Sequence, residues 1–329
     1  MIMSEITKKQ VYITREIPEP AKKMLEGKGY EITVGTWDRP PTKKEIIKAL
    51  RKKPYEAVIT LLTDTVDSDI YDSAPNAKIF ANYAVGYNNL DVEEAKKRNI
   101  VVTNTPGRFS HTAGEHTIAL MLALASNVAS GDRFVRAKKY RGWDPTLFIG
   151  TDLPGKILGV VGAGRIGASV AKMAHHGFDM KIIYTDIQNN TELENECGAR
   201  KMNNIEVLLK EADFVSLHVP LLPETKYLIN EKTLDMMKPS AYLINTSRGA
   251  IIDEKALVQA LKEEKIAGAG LDVFENEPYL TRGLTRLQNV VLTPHIATST
   301  IEARQDMSKI VAENVISMLE TGKALTPVE

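Results

Sequence analysis

Cysteine is all but missing from this sequence: Cys197 is the only one in 329 residues. A lone thiol rules out an intrachain disulfide and fits a reducing, cytoplasmic setting. No motif surrounds it, so it reads as inert. An excess of one charge is missing as well. Lys+Arg and Asp+Glu both number 42, so nothing recommends a nucleic acid or an acidic membrane as partner. No apolar run approaches the roughly 20 residues of a membrane span. The opening Met1-Ile2-Met3-Ser4-Glu5 has no signal-peptide character. No Cys/His/Asp cluster has metal-ligand spacing, so no metal is expected. Repeats and low-complexity tracts are also absent. What is left is 43% hydrophobic and 26% charged residues, the balance of a soluble globular protein, in a chain long enough for two domains.

The most informative stretch is Gly162-Ala163-Gly164-Arg165-Ile166-Gly167. It follows the β-branched run Ile157–Val161 and precedes the alanine-rich Ala168–Ala174. A strand, a glycine turn and a helix are therefore expected in that order. A second strand, Lys181–Thr185, leads to Asp186, which lies 19 positions past Gly167. That is near the spacing of a dinucleotide fingerprint. Gly162 would permit the tight turn, Gly164 would let a pyrophosphate approach the backbone, and Gly167 would let helix and strand pack closely. The phosphates would meet free N–H groups at the helix N-terminus. Asp186 would accept hydrogen bonds from the adenosine ribose.

Around this stretch the chain alternates. Before it, Val11–Thr14, Tyr30–Val34, Ala57–Thr60, Lys78–Ala81 and Ile100–Thr103 read as strands, with helical patterns such as Thr42 to Lys52 between them. After it come Phe214–Leu217, Ala241–Asn245, Ala269–Val273 and Val290–Leu292, six strands in all with the first two. Strands separated by helices imply α/β architecture with parallel sheets. The expected fold is two doubly wound parallel-sheet domains, one of them Rossmann-like. A long helix from about Thr112 to Ala129 is apolar on more than one face. It is expected to be buried against the next domain or a second subunit. The amphipathic Ser299 to Leu319 helix is expected to return to the first domain.

Three more stretches fall at strand ends, where open α/β sheets bind ligands. They are Asn245-Thr246-Ser247-Arg248-Gly249, then Leu271-Asp272-Val273-Phe274-Glu275-Asn276-Glu277-Pro278, then Leu292-Thr293-Pro294-His295-Ile296-Ala297. Together they offer a guanidinium, a carboxylate and an imidazole. A carbonyl reductase needs those parts. Arginine can hold a carboxylate by two hydrogen bonds and polarise the adjacent carbonyl. Histidine can deliver a proton as hydride arrives, and a neighbouring carboxylate favours its protonated form.

On these motifs the chain resembles the D-isomer-specific 2-hydroxyacid dehydrogenases, most of all their glyoxylate/hydroxypyruvate reductase branch. Further shared wording lies in Ala84–Asp91, Val102–Gly107 and His218–Thr225. The resemblance implies a discontinuous, flavodoxin-like substrate domain from residues 1–107 and 298–329. It implies a Rossmann NAD-binding domain over residues 108–297, with hinge closure expelling water. Arg248 would bind the substrate carboxylate and carbonyl. His295 would be the acid/base, with Glu277 its partner, and Val85 and Gly86 would offer backbone N–H groups to the carboxylate. Arg165 and Ile166 would cover the pyrophosphate. His218, Val219, Pro220 and Thr225 would line the adenine side, and Thr246 and Asp272 would flank the nicotinamide. Asp186 implies NADH in preference to NADPH. A two-fold homodimer through the 112–129 helix is expected.

Several features stand apart from that pattern. The Arg108–Thr117 segment opens on unusual wording and has Gly114 where alanine is usual, which bears on the cleft edge and substrate range. His175 and His176 read as surface or helix-end residues, and His111 and His116 as packing. Trp143 would cap the domain edge or reach a partner subunit's cleft. Other functions stay open: a D-3-phosphoglycerate or D-lactate dehydrogenase, or an NAD(H)-sensing protein akin to the C-terminal-binding corepressors. The end at Glu329 leaves no room for a regulatory domain and favours a plain metabolic enzyme.

Overall fold

The computed structural model describes residues 8–107 and 109–328. The described chain divides into two compact units. One comprises the residues up to Phe109 and those from Ser299 onward, and the other runs from Ser110 to Thr298.

The first unit is built from β1 (Gln10–Ile13), α1 (Pro20–Gly27), β2 (Glu31–Val34), α2 (Lys43–Leu50), β3 (Ala57–Leu61), α3 (Ser68–Asp72), β4 (Ile79–Tyr83), α4 (Val92–Lys97) and β5 (Val101–Thr103). The strands form a sheet in the order β2-β1-β3-β4-β5, every pair parallel. The period of two sorts side chains to opposite faces. Val11, Ile13, Ile79 and Ala81 enter one core, and Tyr12 and Phe80 the other. Both faces are covered, which is why these strands read as continuous apolar runs. Helix α2 starts where Thr42 and Glu45 cap each other reciprocally.

The second unit contains α5 (Phe109–Ala125, from Ser110 on), α6 (Val128–Arg136), β6 (Ile157–Val161), α7 (Arg165–Phe178), β7 (Lys181–Thr185), α8 (Thr191–Cys197), β8 (Arg200–Lys201), α9 (Ile205–Glu211), β9 (Phe214–Leu217), α10 (Glu231–Leu234), β10 (Tyr242–Asn245), α11 (Glu254–Lys262), β11 (Gly268–Leu271) and β12 (Val290–Leu292). Its sheet runs β12-β11-β10-β9-β6-β7-β8, again wholly parallel. The order reverses beside β6, so the β6 and β9 ends border a crevice where such sheets bind ligands. The sheet has seven strands rather than six. The extra one, β8, is a two-residue edge strand too short to show a period.

The expected 112–129 helix is in fact two helices. Asn127 adopts a left-handed conformation (φ 55°) and separates the two, although apolar residues continue beyond it. Leu120, Met121, Leu124 and Ala125 of α5 are buried within their own unit against β6 and α7 residues. That burial accounts for the helix being apolar on more than one face, with no second subunit required. By contrast α6 has no buried residue, and Trp143 beyond it is 84% exposed, so it caps nothing in its own unit. Among the described residues no single helix is long and apolar enough to cross a membrane. Only α5 and α6 taken together pass by length and composition, and they are bent by 63°.

The last helix, α12 (Ile301–Thr321), belongs to the first unit. Thr300 caps its start and Gly322, at φ 75°, ends it. Met307, Val311, Val315 and Leu319 pack on the core that holds Val11, Ile13 and Ile79. Each such side chain contributes about 1.5–3 kcal/mol by leaving water.

Candidate active site

The glycine stretch forms the turn between β6 and α7. Gly162 has φ +92°, and a Cβ there would lie 2.9 Å from the His218 backbone. A Cβ on Gly167 would lie 2.0 Å from the Gly162 carbonyl oxygen. Both glycines are therefore demanded by the protein's own packing. Gly164 is different: it is exposed, and a Cβ there would meet nothing within 4 Å. It is also the N-cap of α7, and no side chain caps it. The open space over an uncapped helix start fits a pyrophosphate, which would use the free N–H groups and the positive end of the helix dipole.

Asp186 follows β7, beside this loop. One carboxylate oxygen accepts from Ala163 N at 2.7 Å and the other from Gln188 N at 3.1 Å. The acid thus also shapes the glycine loop. His218 and Val219 follow β9 and border the same turn, with the His218 N–H donating to the Val161 carbonyl at 2.7 Å. Desolvation pushes the His218 imidazole down to about 3, so it is neutral. Its Nε2 is 2.7 Å from Ser216 Oγ. Pro220 is exposed, and the Thr225 hydroxyl closes its own loop by donating to the Pro220 carbonyl at 2.6 Å. Arg165 is exposed, while Ile166 packs partly into the core.

Arg248, Glu277 and His295 come together at the β10, β11 and β12 ends. His295 Nδ1 is 2.9 Å from Glu277 Oε2. The other Glu277 oxygen accepts from Phe274 N at 3.0 Å. Burial works to raise the Glu277 carboxyl. The His295 hydrogen bond and charge, the Phe274 N–H and the Arg248 charge outweigh it and hold the group below its usual range. Glu277 is therefore ionised at neutral pH. Desolvation lowers the half-buried Arg248 guanidinium, the Glu277 charge opposing it, but an arginine stays protonated. Glu277 occupies Nδ1, so Nε2 is the ring nitrogen that this pair does not hold.

His295 has φ +56°, a left-handed conformation that is unusual outside glycine. Asp272 holds it there. The Asp272 carbonyl accepts from His295 N at 2.8 Å. Its carboxylate, 0% exposed, accepts from Ile296 N at 2.9 Å, Ala297 N at 2.8 Å and Thr293 Oγ1 at 2.6 Å. His116 Nε2 lies 3.1 Å from Thr293 Oγ1 and 3.4 Å from Asp272 Oδ1. Burial alone would raise the Asp272 carboxyl, but these partners bring it below its usual range. The acid expected to flank a nicotinamide is thus wholly buried and bracing the His295 loop. Thr246 is 2.9 Å from Thr117 Oγ1, again on α5.

His116, Thr117 and Thr293 were not singled out as site residues from sequence, and His116 reads there as packing. No local pattern could reveal its role, since its partner is 177 positions away. Glu254 is another such support. Buried at the start of α11, it accepts from Glu275 N at 2.6 Å and steadies the Glu277 loop. Gly114 also has a local reason. A Cβ there would lie 3.1 Å from Ser169 Oγ and 3.3 Å from Met173 Cε, so it lets α5 pack closely on α7. Arg108 lies outside the described residues. His175 Nδ1 lies 3.0 Å from the Met180 carbonyl oxygen, and His176 lies 3.4 Å from Glu196. A cavity of about 250 Å³, lined in part by Ile157, His175, Lys181 and Cys197, lies beside the starts of β6 and β7 and contains none of the candidate residues. Among the described residues no group of three or more His, Cys, Asp or Glu could hold a metal.

Val85 and Gly86 belong to the first unit, in the loop after β4. The Val85 carbonyl accepts from Asn104 Nδ2 at 2.7 Å and the Gly86 carbonyl from Asn82 Nδ2 at 3.0 Å.

The chain also has relatives among known proteins. Residues 118–297 match the family model described as D-isomer specific 2-hydroxyacid dehydrogenase, NAD binding domain. A glyoxylate reductase of Thermococcus litoralis is 50% identical over 314 residues, 94% of this chain and 93% of that protein. The crystal structure of a Thermus thermophilus protein has a TM-score of 0.90 at 38% identity, covering 97% of this chain and 100% of that one. An NADPH-dependent glyoxylate/hydroxypyruvate reductase from Sinorhizobium meliloti, solved with NADP and malonate, has a TM-score of 0.83 at 29% identity, covering 98% and 97%. A family model spanning more than half the chain and a relative half identical over nearly all of it establish the kinship: this chain belongs to the D-isomer specific 2-hydroxyacid dehydrogenases, NAD-binding oxidoreductases of small 2-hydroxy acids.

Proposed function

We propose that the protein reduces small 2-oxo acids, glyoxylate and hydroxypyruvate first, to the corresponding 2-hydroxy acids with NADH. The observation that carries this reading is the His295–Glu277 pair at 2.9 Å with Arg248 beside it. The name shared by the curated relatives, glyoxylate reductase, supports the substrate. NADH, when bound, supplies a hydride to the carbonyl carbon. Arg248 holds the substrate carboxylate and polarises the carbonyl. In the first unit, the Val85 and Gly86 N–H groups are donors suited to a carboxylate. His295 holds the proton that the carbonyl oxygen takes up as negative charge develops there. Glu277 keeps the ring oriented through Nδ1.

Asp186 supports NADH over NADPH. A 2′-phosphate beside this carboxylate would set like charges together, at a cost on the order of a kcal/mol or more when partly desolvated. The S. meliloti protein is NADPH-dependent, so the preference is a property to measure on this chain. A panel of 2-oxo acids with NADH and NADPH, followed by loss of reduced-nicotinamide absorbance, tests the proposal. Glyoxylate turnover with NADH favoured roughly tenfold or more is expected. Absence of turnover with every 2-oxo acid would overturn the function, and equal use of NADPH would overturn the reading of Asp186.

A homodimer is part of the same reading. The surface that supports it is α6 and the segment after it, where Val128, Val135, Tyr140, Trp143 and Ile149 are exposed. A second copy of the chain is the partner that such a surface fits.

A further inference from the structure

The loop proposed to hold the substrate carboxylate is braced through consecutive carbonyls. Ala84 O accepts from Thr105 N at 2.9 Å, Val85 O from Asn104 Nδ2 at 2.7 Å and Gly86 O from Asn82 Nδ2 at 3.0 Å. These peptides are trans, and in a planar trans peptide the C=O and N–H point in opposite directions. Drawing the carbonyls of residues 84 and 85 onto those partners therefore aims the N–H groups of Val85 and Gly86 the other way. Successive backbone N–H groups are what anion-binding concavities are made of.

One of the braces is itself held from a distance. The Asn104 carbonyl accepts from Thr326 Oγ1 at 2.7 Å, and Asn104 N donates to the Thr326 carbonyl at 3.4 Å. Thr326 is fastened in turn to Asn314 on α12. Asn314 Nδ2 donates to Thr326 Oγ1 at 2.9 Å, and Asn314 Oδ1 accepts from Leu325 N at 3.0 Å and Thr326 N at 2.9 Å. Asn314 is 0% exposed. An amide buried in a helix is costly unless its hydrogen bonds are met. Three of the four made by this one go to residues 325 and 326, and the fourth to the Ile310 carbonyl. Val328 N completes the strap by donating to Val102 O at 2.9 Å, beside an antiparallel bridge between Thr103 and Pro327.

We propose that residues 325–328 act as a positioning strap for the substrate-carboxylate loop, with Thr326 relaying the hold of Asn314 to Asn104 and so to the Val85 carbonyl. This rests on the reading of Val85 and Gly86 as carboxylate donors. Thr326 touches no substrate; it acts through Asn104.

The test compares Thr326→Val, which keeps the shape and loses the hydroxyl, with Thr326→Ser, which keeps the hydroxyl. Steady-state kinetics with glyoxylate, NADH titration by fluorescence and a thermal melt are run on both. Thr326→Val should raise the KM for glyoxylate roughly two- to tenfold, the span of one net hydrogen bond. Its kcat and NADH affinity should stay near those of the parent, and Thr326→Ser should behave as the parent. A folded Thr326→Val with unchanged KM overturns the strap, as does a lowered melting temperature with no change in KM. Hydrogen exchange over residues 83–90 in the parent, with NADH and with or without oxamate, separates the two readings. Protection by oxamate with an unmoved KM in Thr326→Val means that the loop binds carboxylate without the strap. No protection overturns the loop assignment and the strap with it.

Discussion

At the scale of single residues, what matters is which proton each group keeps. Glu277 sits below its usual carboxylate range because the His295 and Phe274 hydrogen bonds and the Arg248 charge together outweigh burial. A depressed carboxyl keeps its charge, and the stability it contributes, at neutral pH. Both are lost only as pH falls through its folded value, below the ordinary 4.5. The carboxylate is therefore in place across the neutral range, and reduction should decline on the acid side as pH falls through the folded value of Glu277. Glu277→Gln keeps most of the shape and removes the charge. In that variant kcat/KM for glyoxylate should be lower at neutral pH, and the fall on the acid side that Glu277 causes should be gone. A pH profile of parent and variant checks this, and an unchanged acid limb with unchanged neutral activity under rate-limiting chemistry would show the pairing to be wrong. The residues Arg248, Glu277 and His295 could be named from sequence, because each lies in a short stretch with a recognisable chemical purpose. The braces His116, Thr117 and Glu254 could not, because they act through partners distant in sequence.

At the scale of elements, the β6–α7 turn shows two different demands for glycine. Gly167 is needed by the fold, since a Cβ would lie 2.0 Å from a backbone oxygen. Gly164 is not, since a Cβ there meets open space. Gly167→Ala should destabilise the protein by about 1–3 kcal/mol or more, in the range of overpacking. Gly164→Ala should leave the melt near that of the parent and weaken NADH binding. Paired denaturant melts and NADH titrations measure both, and equal loss of stability in the two variants would defeat the distinction. Periodicity and turn residues made most elements legible, such as α2 between Thr42 and Arg51. The pattern misled at Asn127, where apolar residues continue but the backbone turns left-handed. It was silent at β8, whose Arg200 and Lys201 are paired only because β7 lies alongside.

At the scale of the whole molecule, the exposed apolar surface has moved from where composition suggested. Helix α5 is consumed by its own unit, while α6 and the segment to Ile149 remain uncovered, with Trp143 84% and Ile149 74% exposed. The phenyl rings of Phe134 and Phe148 meet edge to face at 5.4 Å, and Asn127 Nδ2 donates to the Phe148 carbonyl at 3.2 Å, so this surface is held in shape. Light scattering at micromolar concentration should report a dimer. The double variant Val128→Asp/Val135→Asp should be monomeric with an unchanged circular dichroism spectrum. A parent that is already monomeric would remove the dimer from the proposed function.

Two parallel α/β sheets, the dinucleotide turn and the three chemical groups are legible in the chain before it folds. They depend on local signals: strand and helix periods, glycines at a turn, and a guanidinium, a carboxylate and an imidazole at strand ends. What surrounds them is settled only by folding. It buried Asp272 beneath the His295 loop and set His116 against Thr293. It gave Gly114 to helix packing, and it ran the hold on Val85 through Asn104, Thr326 and Asn314. Hydrogen bonds between residues remote in the chain leave no period and no motif, so only the folded chain reveals them.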